Sequence, residues 1–108
     1  TFMVRAVFYT ADNGALLGFR VQGHSGYAES GRDIVCAAVS SAALMAANTV
    51  TEVLHVPAQA SVKDGDLRFM VLPKDAQQCR DVFLGFKLHM LSLEEQYPDY
   101  ISVNYTEV

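Results

Sequence analysis

The chain has 108 residues, of which 51% are hydrophobic and 19% charged, which is the composition of a folded domain and excludes an intrinsically disordered chain. The formal charge of −4 argues against a nucleic-acid partner, because phosphate binding needs clustered basic residues. Two cysteines are too few for a disulfide framework. We therefore expect one domain over residues 1–108.

The first part of the chain predicts a β-hairpin followed by a loop. Residues 2–10 are rich in β-forming side chains, and the turn at Asn13-Gly14 leads into residues 16–22, where apolar and polar residues alternate. The segment 23–31 then contains three glycines and few apolar side chains. Such a segment predicts a mobile loop.

Residues 34–53 predict a helix that is rich in alanine and apolar on nearly every side. The run approaches the length of a membrane span, but its polar Ser40, Ser41, Asn48 and Thr49 fit a buried helix of a soluble protein better. One sheet cannot cover so much apolar surface, so we expect a partner helix and a homodimer. The N-terminal residues lack a signal-peptide pattern, so we expect a cytoplasmic protein without a membrane partner.

The second half of the chain predicts another hairpin, a long helix and a last strand. The hairpin covers residues 58–71 with a turn at Asp64-Gly65, and an amphipathic helix lies between Pro73 and Pro98. The order of elements is ββαββαβ. We predict a single α+β domain in which two long helices pack on a mostly antiparallel sheet.

The residues that are candidates for catalysis lie around the start of the first predicted helix. Asp33 is its natural N-cap, which places Cys36 in the first turn, where free N–H groups and the helix dipole favour a nucleophilic thiolate. His24 follows the second strand, and the loop can bring its imidazole beside Cys36 to act as the base and then protonate a leaving amine. Ser40 lies one helical turn beyond Cys36 and can hydrogen-bond near the sulfur.

These residues form a motif that closely resembles the signature of the ribosomal-processing cysteine protease Prp family. The matching run is Gly23-His24-x-Gly26-Tyr27-Ala28, then Gly31-x-Asp33-Ile34-Val35-Cys36-Ala37-Ala38-Val39-Ser40. The resemblance covers essentially the whole chain. It implies a bacterial homodimeric endopeptidase that removes a short N-terminal extension from the large-subunit ribosomal protein number twenty-seven, cutting after a Phe.

The resemblance also assigns roles to single residues. His24 and Cys36 match the family's catalytic pair, while Gly23, Asp33 and Ser40 match positions associated with its active site. We further interpret the loop between the two catalytic residues as a lid that closes on a bound peptide, because only one of its side chains can anchor in a core. The residues of this substrate-gating loop are Gly26, Tyr27 and Gly31.

Two other functions remain open at this point. Cysteines are often buried, so Cys36 is structural in one alternative, a non-enzymatic dimeric ribosome-assembly or regulatory module. In the other, Cys36 and Cys79 form a thiol redox sensor, although Cys79 lies on the apolar face of the second helix and is interpreted as core. His55 is interpreted as a surface or capping residue and His89 as a boundary residue. No motif indicates a zinc or nucleotide site, so we expect no metal and no cofactor.

Overall fold

The computed structural model describes residues 3–23 and 34–108. It contains five strands and two long helices in the predicted order ββαββαβ. The elements are β1 (Val4–Thr10), β2 (Leu16–Gln22), α1 (Ile34–Asn48), β3 (Gln59–Lys63), β4 (Asp66–Met70), α2 (Ala76–Gln96) and β5 (Ile101–Glu107). A π-helical turn, Thr49–Val53, extends α1, and a 3₁₀ turn, Pro73–Asp75, precedes α2.

The strands form one sheet in the order β3-β4-β2-β1-β5. All neighbours are antiparallel except β1 and β5, which run parallel because α2 carries the chain back across the sheet. The two hairpin turns lie where the sequence predicts them, with Gly14 at φ 85° and Gly65 at φ 71°. The predicted α+β class, with helices packed on a mostly antiparallel sheet, is confirmed.

The core lies between the sheet and the two helices. Phe19 is fully buried at its centre, with ring centroids 4.6 Å from Phe86 and 5.5 Å from Phe69. The apolar stripe predicted for α2 faces this core, and its buried members are Cys79, Phe83, Phe86, Met90 and Leu93. Cys79 is therefore a core residue, as predicted, and burial raises the pKa of its thiol.

Helix α1 buries one face and exposes apolar side chains on the other. Its buried residues Val35, Val39, Ala43 and Ala46 recur at the helical spacing of three and four. Length and composition alone would let the segment Ile34–Val53 cross a membrane, a test that the core helices of soluble proteins also pass. In this fold 28% of an 18-residue window of that segment is buried, and Val35, Val39, Ala43 and Ala46 belong to the hydrophobic core.

The end of this helical segment departs from the single regular helix that the sequence predicts. Thr49 and Thr51 donate side-chain hydrogen bonds to the carbonyl oxygens four residues earlier, at 2.7 and 3.2 Å. Such bonds compete with the regular backbone ladder and loosen a helix. The segment ends before His55, an exposed residue at φ 57°, which agrees with its predicted surface position.

Candidate active site

Cys36 is the third residue of α1, inside the first helical turn as predicted. Its neighbours Val35 and Val39 are 0% and 1% exposed, so the start of the helix is held firmly on the sheet. Cys36 itself is only half-buried. The packing therefore fixes the position of the sulfur while a reagent or substrate can still reach it.

A cavity of about 270 Å³ lies beside Cys36. It is enclosed by α1, the end of β2 and the hairpin formed by β3 and β4, and its lining residues are Val21, Gly23, Cys36, Ser40, Ala43, Leu44, Val62, Lys63, Asp64, Gly65, Asp66 and Leu67. The fold thus brings together three of the residues that the sequence singled out, although Gly23 and Cys36 lie on different elements. Ser40 shares the cavity with Cys36 because one helical turn separates them.

Gly23 occupies a position that only glycine fits. Its φ is 91°, and a Cβ atom there would lie 2.6 Å from the carbonyl oxygen of Met3. The Gly23 N–H donates a hydrogen bond to the carbonyl oxygen of Gly65 at 2.8 Å, which ties the end of β2 to the β3–β4 turn. Gly23 therefore holds the end of β2 in place directly before His24 in the sequence.

We expect Gly23→Ala to abolish most peptide cleavage and to destabilise the fold by more than Gly14→Ala does. Gly14 is the matched control, because it also has a positive φ but no atom lies within 4 Å of the added Cβ. Strain at φ alone costs about 1–2 kcal/mol, and the clash with Met3 adds to it. Urea unfolding and cleavage rates measure both effects, and equal activity in the two variants would contradict this role for Gly23.

The other predicted site residues lie in the segment 24–33, outside the described residues. They are His24, Gly26, Tyr27, Gly31 and Asp33. The base, the N-cap of α1 and the gating loop therefore stay predictions.

A larger cavity, of about 690 Å³, lies between α1 and α2. It is lined by apolar and small residues together with Asp81 and His89, and none of its lining residues is a cysteine. His89 is exposed at its rim, close to its predicted boundary position. The cavity between α1 and α2 is larger, but the cavity of about 270 Å³ contains Cys36, the predicted nucleophile. We therefore assign the active site to the cavity beside Cys36.

The β3–β4 hairpin belongs to this site although no sequence motif predicted it there. Val62 pairs with Leu67, which pairs with the buried Val21, so these side chains form one row on the helix-facing side of the sheet. The helices do not reach the end of that row, and Val62 remains 74% exposed. Leu44 of α1, 52% exposed, lies across the same cavity. In the sequence, the apolar Val62 on the inner face of β3 was the only indication that this hairpin lines a site.

The structure argues against Cys79 as a redox partner of Cys36. Across residues 3–23 and 34–108, no group of three or more His, Cys, Asp or Glu side chains could hold a metal ion. Cys79 is 0% exposed, and burial, followed by the nearby Asp75 charge, raises the pKa of its thiol. Disulfide exchange needs an accessible thiolate, so Cys79 is a poor resolving cysteine.

Comparison with known proteins agrees with this geometry. The sequence model of the family described as Cysteine protease Prp matches residues 3–102. The ribosomal processing cysteine protease Prp of Bacillus subtilis is 25% identical over 107 residues, which cover 94% of this chain and 96% of that protein.

Two crystal structures of an essential ribosomal processing protease Prp from S. aureus share the fold. The complex with a covalently linked product peptide gives a TM-score of 0.89 at 21% identity, and the complex with a substrate peptide gives 0.84 at 20%. Each comparison covers 96% of this chain and 100% of the other. Since the family match spans both the sheet and the helix that carries Cys36, the chain belongs to the Prp family of cysteine proteases.

Proposed function

We propose that this protein is an endopeptidase that removes the N-terminal extension of the large-subunit ribosomal protein number twenty-seven, with Cys36 as nucleophile and His24 as base. One observation carries the proposal. Cys36 lies half-exposed in the first turn of α1, at a cavity that it shares with Gly23, the residue directly before His24. Membership in the Prp family supports the same reaction class.

The reaction is an acyl transfer through a thioester. The Cys36 thiolate attacks the scissile carbonyl carbon, and the resulting oxyanion is stabilised by N–H groups of the first helical turn, which have no partners within the helix. The His24 imidazolium donates its proton to the leaving amine as the C–N bond breaks. Water then attacks the thioester carbonyl carbon while His24 accepts a proton from it, the C–S bond breaks to restore the Cys36 thiolate, and the carboxylate product leaves.

The cavity suits an apolar side chain next to the scissile bond. Leu44, Val62 and Leu67 offer aliphatic surface that is partly exposed. Covering such surface stabilises a complex by about 25 cal/mol for each Å² removed from water. The family resemblance points to Phe beside the cut, and an aromatic ring has the size and polarity that this wall requires.

The proposed function is tested by incubating the protein with a peptide that spans the extension of the ribosomal protein. Mass spectrometry should show one cut, after the Phe, and a Phe→Asp peptide should be cleaved far more slowly. The Cys36→Ser protein serves as the negative control. A cut at another residue, or an uncut peptide at high enzyme concentration, would refute the assigned substrate.

The two cysteines should differ strongly in reactivity. At neutral pH we expect iodoacetamide to modify Cys36 at least about tenfold faster than Cys79, because reactivity requires an accessible thiolate and burial both covers Cys79 and raises the pKa of its thiol. Peptide mass spectrometry after timed quenching measures both rates. Unfolding in urea should make the rates similar, and equally slow modification in the native protein would favour a structural Cys36.

We also propose that the protein is a cytoplasmic homodimer that pairs through the exposed side of α1. Met45 is 69% exposed at the large cavity between α1 and α2, and Leu44 beside it is 52% exposed. Exposed apolar patches of this kind mark interaction sites. We expect light scattering at micromolar concentration to give a dimer that Met45→Glu disrupts and that Leu72→Glu, a change at another exposed apolar residue, leaves intact. A monomeric wild-type protein would contradict the proposal.

A further inference from the structure

The sheet face that points away from the helices carries a surplus of positive charge. Alternate residues of a strand point to the same face, and the residues beside these outward positions, such as Ala6, Phe19 and Phe69, are buried in the core. The charged side chains on the outward face are Arg5, Arg20, Lys63, Arg68 and Asp66.

This distribution is uneven for an acidic protein. The face holds four of the eight Lys and Arg residues of the chain but one of its twelve acidic residues. Its formal charge is therefore +3, while the whole chain has a charge of −4. The net charge that argued against a nucleic-acid partner in the sequence analysis is an average, and it conceals a basic surface on one side of the molecule.

One of these cations is already neutralised within the sheet. The Arg20 guanidinium donates to both carboxylate oxygens of Asp66, at 3.0 and 2.8 Å, and this bond holds the pKa of Asp66 below its usual value. The other three cations are exposed. In the described part of the chain, no salt bridge engages Arg5, Lys63 or Arg68.

The register places like charges side by side. Arg20 and Arg68 are direct cross-strand partners, and like charges in that position destabilise a sheet. Asp66 offsets part of this repulsion, through its salt bridge to Arg20 and more weakly through its attraction for Arg68 and for Lys63, its cross-strand partner. A single carboxylate cannot balance four cations, so the face keeps a surplus of positive charge. The cations extend over four neighbouring strands, from β3 to β1, a width of about 14 Å. An extended polyanion complements such a surface better than a single small anion does.

The uncharged residues of the same face favour single-stranded RNA as that polyanion. Several of them offer hydrogen-bond donors and acceptors, namely Gln22, Gln59, Ser61, Ser102 and Asn104, while Val7 and Met70 add apolar surface. Tyr9 is half-buried on this face, opposite Gly18 in the register, and offers an aromatic ring beside the cations. Proteins that bind single-stranded RNA on a sheet stack bases on aromatic side chains and hold the backbone with cations.

We propose that the outward face of the sheet binds single-stranded RNA. The bound RNA would lie on the opposite side of the sheet from the helix that carries Cys36, and the two surfaces meet at Lys63 and Asp66, which also line the Cys36 cavity. This inference does not depend on which peptide is cleaved.

The proposal is tested by fluorescence anisotropy with a labelled single-stranded RNA of about twelve nucleotides. The salt concentration is about 50 mM, because contacts with the RNA backbone are strong at low salt. The test variant is Arg5→Gln with Arg68→Gln. The matched control is Lys74→Gln with Arg80→Gln, which removes two exposed cations from elsewhere. We expect the test variant to bind about tenfold more weakly and the control to change the affinity by less than about twofold.

Salt dependence provides a second readout. Each phosphate contact with a single strand contributes about −0.7 to the slope of log affinity against log salt concentration, so the three cations outside the Arg20–Asp66 salt bridge predict a slope of about −2. The test variant should retain a slope of about −0.7. Its cleavage of peptide and its urea unfolding should match the wild type, which separates a failure of this proposal from a failure of the proposed function.

Three outcomes would overturn the proposal. The first is that the wild-type protein does not bind the RNA at about 50 mM salt. The second is an equal loss of affinity in the test and control variants, which would indicate non-specific attraction. The third is competition by polyglutamate as effective as that by RNA, which would identify an acidic polypeptide as the occupant.

Discussion

Cys36→Ser should lower kcat/KM for the extended ribosomal peptide by at least about 10⁴-fold, and His24→Ala should lower it by a similar factor. A serine hydroxyl is a far weaker nucleophile than a thiolate, so Cys36→Ser loses the attacking group. Without the His24 imidazolium, no acid donates a proton to the leaving amine. Because the two groups act as a unit, the double variant should be little worse than either single one.

Ser40→Ala is the matched control for this pair. Ser40 lines the same cavity and is exposed, so its removal should preserve the fold and reduce cleavage by about tenfold or less. All variants should unfold in urea within about 1 kcal/mol of the wild type, since Cys36 and Ser40 are outside the buried core. Cleavage by Cys36→Ser within a factor of about ten of the wild type would refute the nucleophile.

Phe19→Ala should destabilise the protein by about 3–5 kcal/mol, which is the range for removing a buried aromatic ring. Phe19 is 0% exposed, and its ring lies 4.6–6.4 Å from the rings of Phe8, Phe69, Phe83 and Phe86. The substitution leaves a cavity where the sheet meets α2, and neighbours that are themselves held by strands and a helix cannot collapse into it. Such a loss is a large part of the stability of a domain of this size.

Urea unfolding followed by circular dichroism measures this loss, and two further variants make the result specific. Phe19→Leu keeps most of the volume and should cost about half as much or less. Val62→Ala removes an aliphatic side chain that is 74% exposed in the same sheet, and it should change the free energy of unfolding by less than about 0.5 kcal/mol. A cost below about 1 kcal/mol for Phe19→Ala would show that this aromatic cluster is not the centre of the core.

The sequence by itself determined the features that depend on local patterns. The alternation in β2 and the spacing of three and four in α2 predicted which side chains face the core, because the periods of strands and helices differ. The turns at Gly14 and Gly65 were predicted by the residues that tolerate a positive φ. The position of Cys36 in the first turn of α1 followed from where the apolar run begins, and the motif around it identified the family.

Other features were decided only by tertiary structure. The parallel pairing of β1 with β5 joins residues about as far apart as the chain allows, and no local pattern encodes such a partner. The same holds for the β3–β4 hairpin as a wall of the Cys36 cavity and for the contact that makes Gly23 irreplaceable, since both depend on which strands become neighbours.

The distribution of charge illustrates the difference most clearly. Composition fixes the net charge of −4, but the sheet register decides that Arg20 meets Arg68 and that both point away from the core. Strand pairing brings together side chains that are far apart in sequence, and their electrostatic interaction depends on the distance between them in space. The basic face therefore exists only in the folded protein.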